Sequence, residues 1–353
     1  MKTKICILGS TGSIGKTTLK IIKNNKKKYK IILLTTNKNI KLLQKQALEF
    51  NVKNLIVFNK IEYEKLKKNR QLDKINIYND IKSFKKIFNK NKIDYTMSAI
   101  TGFYGLEPTL KIIKFSKEIA IANKESIICG WNLIEKELKK NNTKFVPIDS
   151  EHFSIWSLLD KKMNKNLEKV FITASGGPFV NLPLIKFNKI KPHNAVKHPN
   201  WKMGKKISVD SSTLMNKVFE VIEAKKIFKI DIKKFEVLIH RDSYLHAIVK
   251  FNNGLSKFLV HDTNMTVPIF NSLNDLKYEK LKIKKLNIRK INNFNLEKVN
   301  IKRFPIINIL KTIPKKSSLF ETVLVSANDE LVDLFLNKRI KYLDISKNII
   351  KIL

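Results

Sequence analysis

Three acids, two lysines and an imidazole carry most of the chemistry this sequence can do. Asp149 and Glu151 stand two apart where Lys144 to Ile148, patterned as a strand, gives way to Asp149-Ser150-Glu151-His152. At a strand end that spacing lets both carboxylates point into one crevice, where they repel each other unless a proton or a metal intervenes. Glu220, far along the chain, offers a third. Three carboxylates without cysteine suit a hard divalent ion such as Mg2+ or Mn2+, with water and substrate completing its shell. Zinc would want more imidazole or thiolate. Acids at a strand end also serve as plain solvated surface, and His152 has a purely structural use.

The stretch His198 to Ala224, HPNWKMGKKISVDSSTLMNKVFEVIEA, holds the third acid. Its first half sets an imidazole, an indole, a thioether and the lysines 202, 205 and 206 around Pro199 and Gly204, which is loop punctuation. Its second half reads as a helix capped by Asp210 and Ser211, with Leu214, Met215, Val218, Val221 and Ile222 as the apolar stripe. Off that stripe Asn216 lies four residues from Glu220, and Lys217 and Glu223 lie three from it, so an acid, an amide and a cation share one surface. An ordinary solvated helix face shows the same pattern. Upstream, Phe171 to Ala174 reads as a strand entering Ser175-Gly176-Gly177. Such a loop wraps an anion with N–H groups and a hydroxyl, or simply turns.

These groups need a scaffold, and the first 130 residues supply one. Apolar runs at Lys4 to Leu8, Lys30 to Leu34, Asn54 to Phe58, Tyr95 to Ile100 and Glu118 to Ala122 alternate with helical patterns, which predicts a doubly wound parallel sheet. Cofactors of such sheets sit at the strands' carboxyl ends. Gly9, Gly12 and Gly15 form a variant dinucleotide fingerprint between the first strand and the first helix, where small residues let backbone approach a pyrophosphate. A glycine turn that binds nothing has the same look. At the end of the second strand Thr35-Thr36-Asn37-Lys38-Asn39 offers a cation and no acid, which predicts NADP(H) rather than NAD. Ala122-Asn123-Lys124-Glu125-Ser126, between a strand and a helix, has the types to meet a nicotinamide ribose and a substrate oxygen, or to begin a helix.

Composition excludes several classes. The 353 residues suggest about two or three domains, and 43% apolar content is enough for real cores. No apolar run approaches the roughly 20 residues of a membrane span. MKTKICILG enters the first strand directly, so we expect no targeting segment, and with only Cys6 and Cys129 we expect a reducing cytoplasm and no disulfide framework. The formal charge of +40 raises the alternative of a basic nucleic-acid-binding protein. The lysines, however, are scattered among Asn and Ile with no nucleic-acid motif, so we expect only nonspecific, salt-sensitive polyanion binding. A second alternative is an ordinary NADP-dependent dehydrogenase of a phosphorylated substrate, which needs no carboxylate triad. A third is an inactive relic.

Taken together, GSTGSIG, ANKES, PIDSEH, SGGPF, HPNWKMGKKISVDSSTLMNK with its Glu220, and VLIH at 237 to 240 follow one another in an order that resembles the 1-deoxy-D-xylulose 5-phosphate reductoisomerase family over roughly the first 270 residues. The resemblance implies that Thr11, Gly12, Ser13 and Ile14 hold NADPH, with Asn37, Lys38 and Asn39 near its 2′-phosphate and Asn123, Glu125 and Gly204 completing the cofactor site. It implies Asp149, Glu151 and Glu220 as ligands of Mg2+ or Mn2+, with Co2+ a further option. Substrate contacts would be Lys124, Ser150, Ser175, His198, Ser211, Asn216 and Lys217, the phosphate falling among Ser175, His198, Ser211 and Asn216. The catalytic set would be Lys124, His198 and the three acids, under a lid carrying Trp201 and Met203. The implied reaction is a rearrangement and NADPH reduction that yields 2-C-methyl-D-erythritol 4-phosphate for isoprenoid precursors, carried out by a homodimer.

On this reading residues 1–148 bind NADPH, residues 149–291 form an α+β catalytic domain with the lid, and residues 298–353 form a shortened helical C-terminal domain. The shortening is expected to cost stability rather than activity. Arg241-Asp242 after His240 departs from the neutral pair usual in the family, which touches local packing or a dimer contact.

Overall fold

The structure, a computed structural model, describes residues 2–89, 91–159, 166–201, 203–274, 280–283, 287–292, 294–316 and 318–353. Lys202 of the expected lid therefore lies outside the described residues. The chain divides into two compact units, one made of Met1–Asp149 with Met265–Leu281 and the other of Ser150–Asn264 with Lys282–Leu353.

The first unit alternates strand and helix. Its strands are β1 (Thr3–Leu8), β2 (Tyr29–Thr36), β3 (Asn54–Val57), β4 (Asn76–Tyr78), β5 (Ile93–Ser98), β6 (Ser116–Ile121) and β7 (Lys144–Pro147). Between them run α1 (Ser13–Asn24), α2 (Ile40–Glu49), α3 (Lys60–Lys67), α4 (Ser83–Phe88), α5 (Leu106–Ile113) and α6 (Lys124–Lys140). The strand order is β4-β3-β2-β1-β5-β6-β7, parallel throughout. Ile5, Cys6, Ile7 and Leu8 of β1 are wholly buried, as a central parallel strand covered on both faces requires. The order reverses between β1 and β5, so the turn after β1 opens at the sheet's switch point, where such folds take their ligands. Gly9 sits there at φ +79°, and a Cβ on it would lie 2.6 Å from the Ala99 carbonyl oxygen. A Cβ on Gly15 would lie 2.5 Å from the Gly9 oxygen, so α1 can pack this close to β1 only as glycine. The expected dinucleotide-type doubly wound sheet is therefore observed. The helix α11 (Thr266–Leu273) joins this unit from far along the chain. Ile269 and Phe270 enter its core, and Ser272 bonds the buried Tyr95 hydroxyl at 2.8 Å.

The second unit is α+β, as expected. Its first elements are α7 (Ser150–Leu158), β8 (Leu167–Ala174), α8 (Pro192–Ala195), α9 (Lys205–Thr213) and α10 (Met215–Phe228). There follow β9 (Phe235–Ile239), β10 (Leu245–Phe251), β11 (Ser256–Val260), α12 (Ile288–Asn292), β12 (Glu297–Lys298), α13 (Phe320–Leu336) and α14 (Tyr342–Ile352). The mixed sheet runs β11-β10-β8-β9-β12, with β8 and β9 parallel and the other pairs antiparallel. Among the described residues no helix is long and apolar enough to cross a membrane.

One local expectation is corrected. Asp210 and Ser211 do not cap the helix that carries Glu220; they lie in the last turns of α9. The break falls at Leu214, a buried non-glycine residue at φ +65°, and α10 starts after it. A cap needs its side chain turned back onto the first free N–H groups. Asp210 instead accepts a hydrogen bond from Asn328 Nδ2 at 2.8 Å, so a tertiary partner overrides the local signal. The expected stripe of Leu214, Met215, Val218, Val221 and Ile222 is buried.

Candidate active site

α10 departs from an ordinary amphipathic helix because its polar face is buried too. Glu220 is 2% exposed, Glu223 1% and Lys217 8%. A buried charge must be paired, and the partners come from α7. Lys217 Nζ donates to Glu151 and, at 2.7 Å, to Glu220 Oε2. The ammonium therefore lies between two carboxylates that would otherwise repel. Burial pushes the Lys217 pKa down, but the two glutamates outweigh it, and the result is a shift upward. Lys217 is charged at any physiological pH. Asn216 Nδ2 donates to the other oxygen of Glu220, while Asn216 Oδ1 is buried with no hydrogen-bond partner among the described residues. That orphan acceptor invites a hydroxyl.

Sequence reading gave His152 only a structural use. It is buried, and its Nε2 donates to the Glu220 carbonyl at 2.8 Å, so it fixes the backbone that presents the acid. Being next to Glu151, it ties α7 to α10 at the cluster. Ser150 Oγ donates to Glu151. The acceptors gathered here are carboxylate and amide oxygens, with no thiolate among the described residues, as a hard divalent cation prefers.

A second group forms around His198. Its Nδ1 accepts from the backbone N–H groups of Asn200 at 3.1 Å and Trp201 at 2.9 Å. A ring nitrogen that accepts bears no proton, so the donors around the ring assign the proton to Nε2, which donates to Ser175 Oγ at 3.0 Å. Burial first, and the Lys217 charge second, push the His198 pKa down to about 4. The imidazole is thus a neutral N–H donor. Ser175 Oγ also accepts from Gly177 N at 3.1 Å. Gly177, at φ +65°, leaves no room for a Cβ, which would meet Ser212 Cα at 2.8 Å. The Ser-Gly-Gly loop is therefore pressed onto the end of α9, beside Ser211.

The loop between His198 and α9 has further anchors that spacing did not reveal. Asn200 Nδ2 donates to the Arg241 carbonyl and to Ser243 Oγ at 2.9 Å. The Trp201 ring stands edge-on to His246 at 6.1 Å, and His246 stacks on His261 at 3.7 Å. Two buried imidazoles thus make a seat for the loop's indole. Arg241, flagged for its charge, pairs with Glu297 at 2.9 Å on the surface. Gly204 caps α9 from an exposed position with open space around it.

In the first unit the expected residues fall into exposed and pinned sets. Gly12 and Ser13 are exposed at the start of α1, Thr11 and Ile14 are half-buried beside them, and Gly12, the cap, has no side chain to satisfy the free N–H groups. Asn37, Lys38 and Asn39 are exposed beyond β2, with Asn39 Oδ1 capping α2 through Leu42 N at 3.2 Å. Asn123 is buried, capping α6 through Ser126 N at 2.6 Å and donating to the Ile100 and Gly102 carbonyls. Glu125 follows in the first turn of α6. Lys124 pairs with Asp149 at 2.5 Å, which ends this unit two residues before Glu151.

Known proteins agree in one direction. Family models described as 1-deoxy-D-xylulose 5-phosphate reductoisomerase and its C-terminal domains match residues 5–130, 145–228 and 261–353. The reductoisomerase of Pelagibacter ubique is 62% identical, the alignment covering 99% of this chain and 90% of that protein. That of Clostridium novyi is 36% identical over 97% of this chain and 89% of its own. The solved Zymomonas mobilis reductoisomerase, in complex with NADPH, superposes with a TM-score of 0.91 at 32% identity, covering 99% of this chain and 91% of that one. A second solved structure, DOX-P reductoisomerase with NADPH, fosmidomycin and magnesium, gives 0.92 at 28% identity, covering 99% and 88%.

Proposed function

Because the chain belongs to the 1-deoxy-D-xylulose 5-phosphate reductoisomerase family, we propose that its two buried polar groups, around Lys217 and around His198, form one sugar-phosphate site. The enzyme rearranges and reduces 1-deoxy-D-xylulose 5-phosphate to 2-C-methyl-D-erythritol 4-phosphate, using NADPH and a divalent metal. The observation that carries the assignment of residues is the pair Glu151 and Glu220, held across one buried ammonium beside an acceptor with no partner among the described residues. An ordinary dehydrogenase has no use for that arrangement.

Glu151 and Glu220 would hold Mg2+ or Mn2+ together with Asp149, two residues upstream of Glu151. A divalent cation there supplies Lewis acidity toward the substrate ketone and its neighbouring hydroxyl. Lys217 offsets the acids' negative charge, so the cluster stays folded before the cation arrives. Asn216 Oδ1 accepts a substrate hydroxyl. Ser175, His198, Ser211 and Asn216 take the phosphate, with His198 contributing a neutral N–H rather than a charge. Lys124 steadies charge or moves a proton at the reacting hydroxyl. One carbon–carbon bond breaks and re-forms, by retro-aldol and aldol steps, and the branched aldehyde so produced accepts hydride from NADPH.

The NADPH phosphates meet the open N-terminus of α1 at Thr11 to Ile14, the 2′-phosphate meets Asn37 to Asn39, and Asn123, Glu125 and Gly204 complete the cofactor site. The loop that carries Trp201 and Met203 excludes water, which would quench an enolate. Dimerisation rests on the family resemblance alone, and sedimentation velocity tests it.

Product analysis is the direct check on the reaction. Incubation with substrate, NADPH and Mg2+, followed by NMR, yields the branched tetrol phosphate on this account. An unrearranged alcohol, or no NADPH consumption by folded protein, would sink it.

A further inference from the structure

The C-terminal helices reach the end of α9 through two buried hydrogen bonds. Asn328 on α13, wholly buried, donates to Asp210 at 2.8 Å. Tyr342, the first residue of α14 and 5% exposed, donates its hydroxyl to the Ser212 carbonyl at 2.7 Å. These bonds land on either side of Ser211. The Tyr342 ring also stands edge-on to Phe179 at 5.2 Å, and Arg303 Nη1 donates to the Phe179 carbonyl at 2.7 Å. Phe179 is four residues past Ser175, at the far end of the Ser-Gly-Gly-Pro loop. One segment of chain therefore grips both walls of the proposed phosphate pocket.

The grip has something to hold. Leu214 sits at φ +65° between α9 and α10, a conformation that costs a leucine energy and persists only where its surroundings enforce it. Ser211 lies before that bend and Asn216 after it. Relaxing the bend would change the distance between two phosphate contacts without removing either.

We infer that Tyr342 and Asn328 are positioning residues for the phosphate pocket, fixing Ser211 and Ser175 at the separation the substrate's phosphate requires, although neither touches the substrate. This rests on the reading of Ser175 and Ser211 as phosphate contacts. A helix that merely stabilised the fold would alter the amount of active enzyme, not its preference for a bound phosphate.

Steady-state kinetics of Tyr342→Phe, Asn328→Ala and Ser211→Ala, each as the full chain with metal and NADPH, separate these cases. In the first two variants the KM for substrate and the inhibition constant of inorganic phosphate are expected to rise together, about three- to tenfold for one lost buried hydrogen bond. The KM for NADPH stays unchanged. Loss confined to kcat or to the folded fraction, with substrate KM unmoved, overturns the inference. Tyr342→Phe retains the ring, and Asn328→Ala probes the same wall independently if one variant fails to fold. Ser211→Ala is the control: if its substrate KM does not move, the phosphate reading has failed and the inference with it, whatever Tyr342 does.

Discussion

The turn from Gly9 to Gly15 offers a ligand backbone and very little else, whereas the cluster on α7 and α10 offers side chains and almost no backbone. In the turn, glycines admit α1 to within contact of β1, and the helix begins at Gly12 with its N–H groups uncapped. Nothing there is charged, and Ser13 and Gly12 face outward. In the cluster, Glu151, Lys217 and Glu220 are all buried, and the one ammonium pairs with both carboxylates. The first kind of site is built from one continuous stretch of sequence. The second exists only when residues 66 and 68 apart in sequence are brought together, Lys217 onto Glu151 and His152 onto the Glu220 carbonyl. Such a glycine turn thus tolerates changes of side chain but not of backbone space, while a buried charge cluster tolerates neither loss of a partner nor loss of a charge.

That contrast can be broken by substitution. The largest effect is expected at Lys217→Met, which leaves Glu151 and Glu220 facing each other without a cation. Breaking a buried ion pair costs about 3–5 kcal/mol, so the melting temperature of metal-free protein should fall sharply, with saturating Mg2+ restoring part of it. An unchanged melting temperature would mean that the acids are already protonated or solvated. Next comes Gly15→Ala. Its Cβ meets backbone 2.5 Å away, an overpacking worth about 1–3 kcal/mol, and NADPH affinity measured by fluorescence titration should fall while Mg2+ binding does not.

A smaller effect is expected at Lys38→Glu, which reverses an exposed charge proposed to face the 2′-phosphate. A lost hydrogen bond to a charged group is worth roughly tenfold in affinity, so NADPH should weaken about that much with NADH little affected. Equal weakening of both would remove Lys38 from that role.

The smallest effect concerns His198. Its folded pKa of about 4 lies below the ordinary 6.5. Between those values the unfolded chain binds more protons than the folded one, so the stability due to neutral His198 is fully present above pH 6.5 and is lost as pH falls toward 4. Thermal melts across that window should slope less in His198→Gln than in the parent, and identical slopes would contradict the assigned proton.

Legibility in the sequence follows the same division. β1 to β3 and β5 to β7 were readable because parallel strands buried on both faces are continuous apolar runs, and the glycine turn was readable because its spacing is local. The three acids could be named, but nothing in the run from Asn216 to Glu223 distinguishes a buried face from a solvated one. Its polarity looks the same until α7 covers it. Asp210 was misread as a cap because its partner, Asn328, lies 118 residues away. The break at Leu214 had no glycine to announce it. The seat made by His246 and His261, and the return of α11 to the first unit, depend on pairings that no local pattern encodes. In the region read as shortened, α13 and α14 are present and pack onto α9, and a C-terminal family model matches residues 261–353.

The central claim is that the acids around Lys217 make metal-dependent chemistry possible. It is tested most directly by following NADPH oxidation with 1-deoxy-D-xylulose 5-phosphate in the presence of Mg2+ or Mn2+, after chelation, and in Glu220→Gln. The account predicts turnover that vanishes on chelation, returns when metal is restored, and falls at least about 100-fold in the variant while NADPH still binds. Turnover that survives chelation, or a Glu220→Gln enzyme as active as the parent, would contradict it.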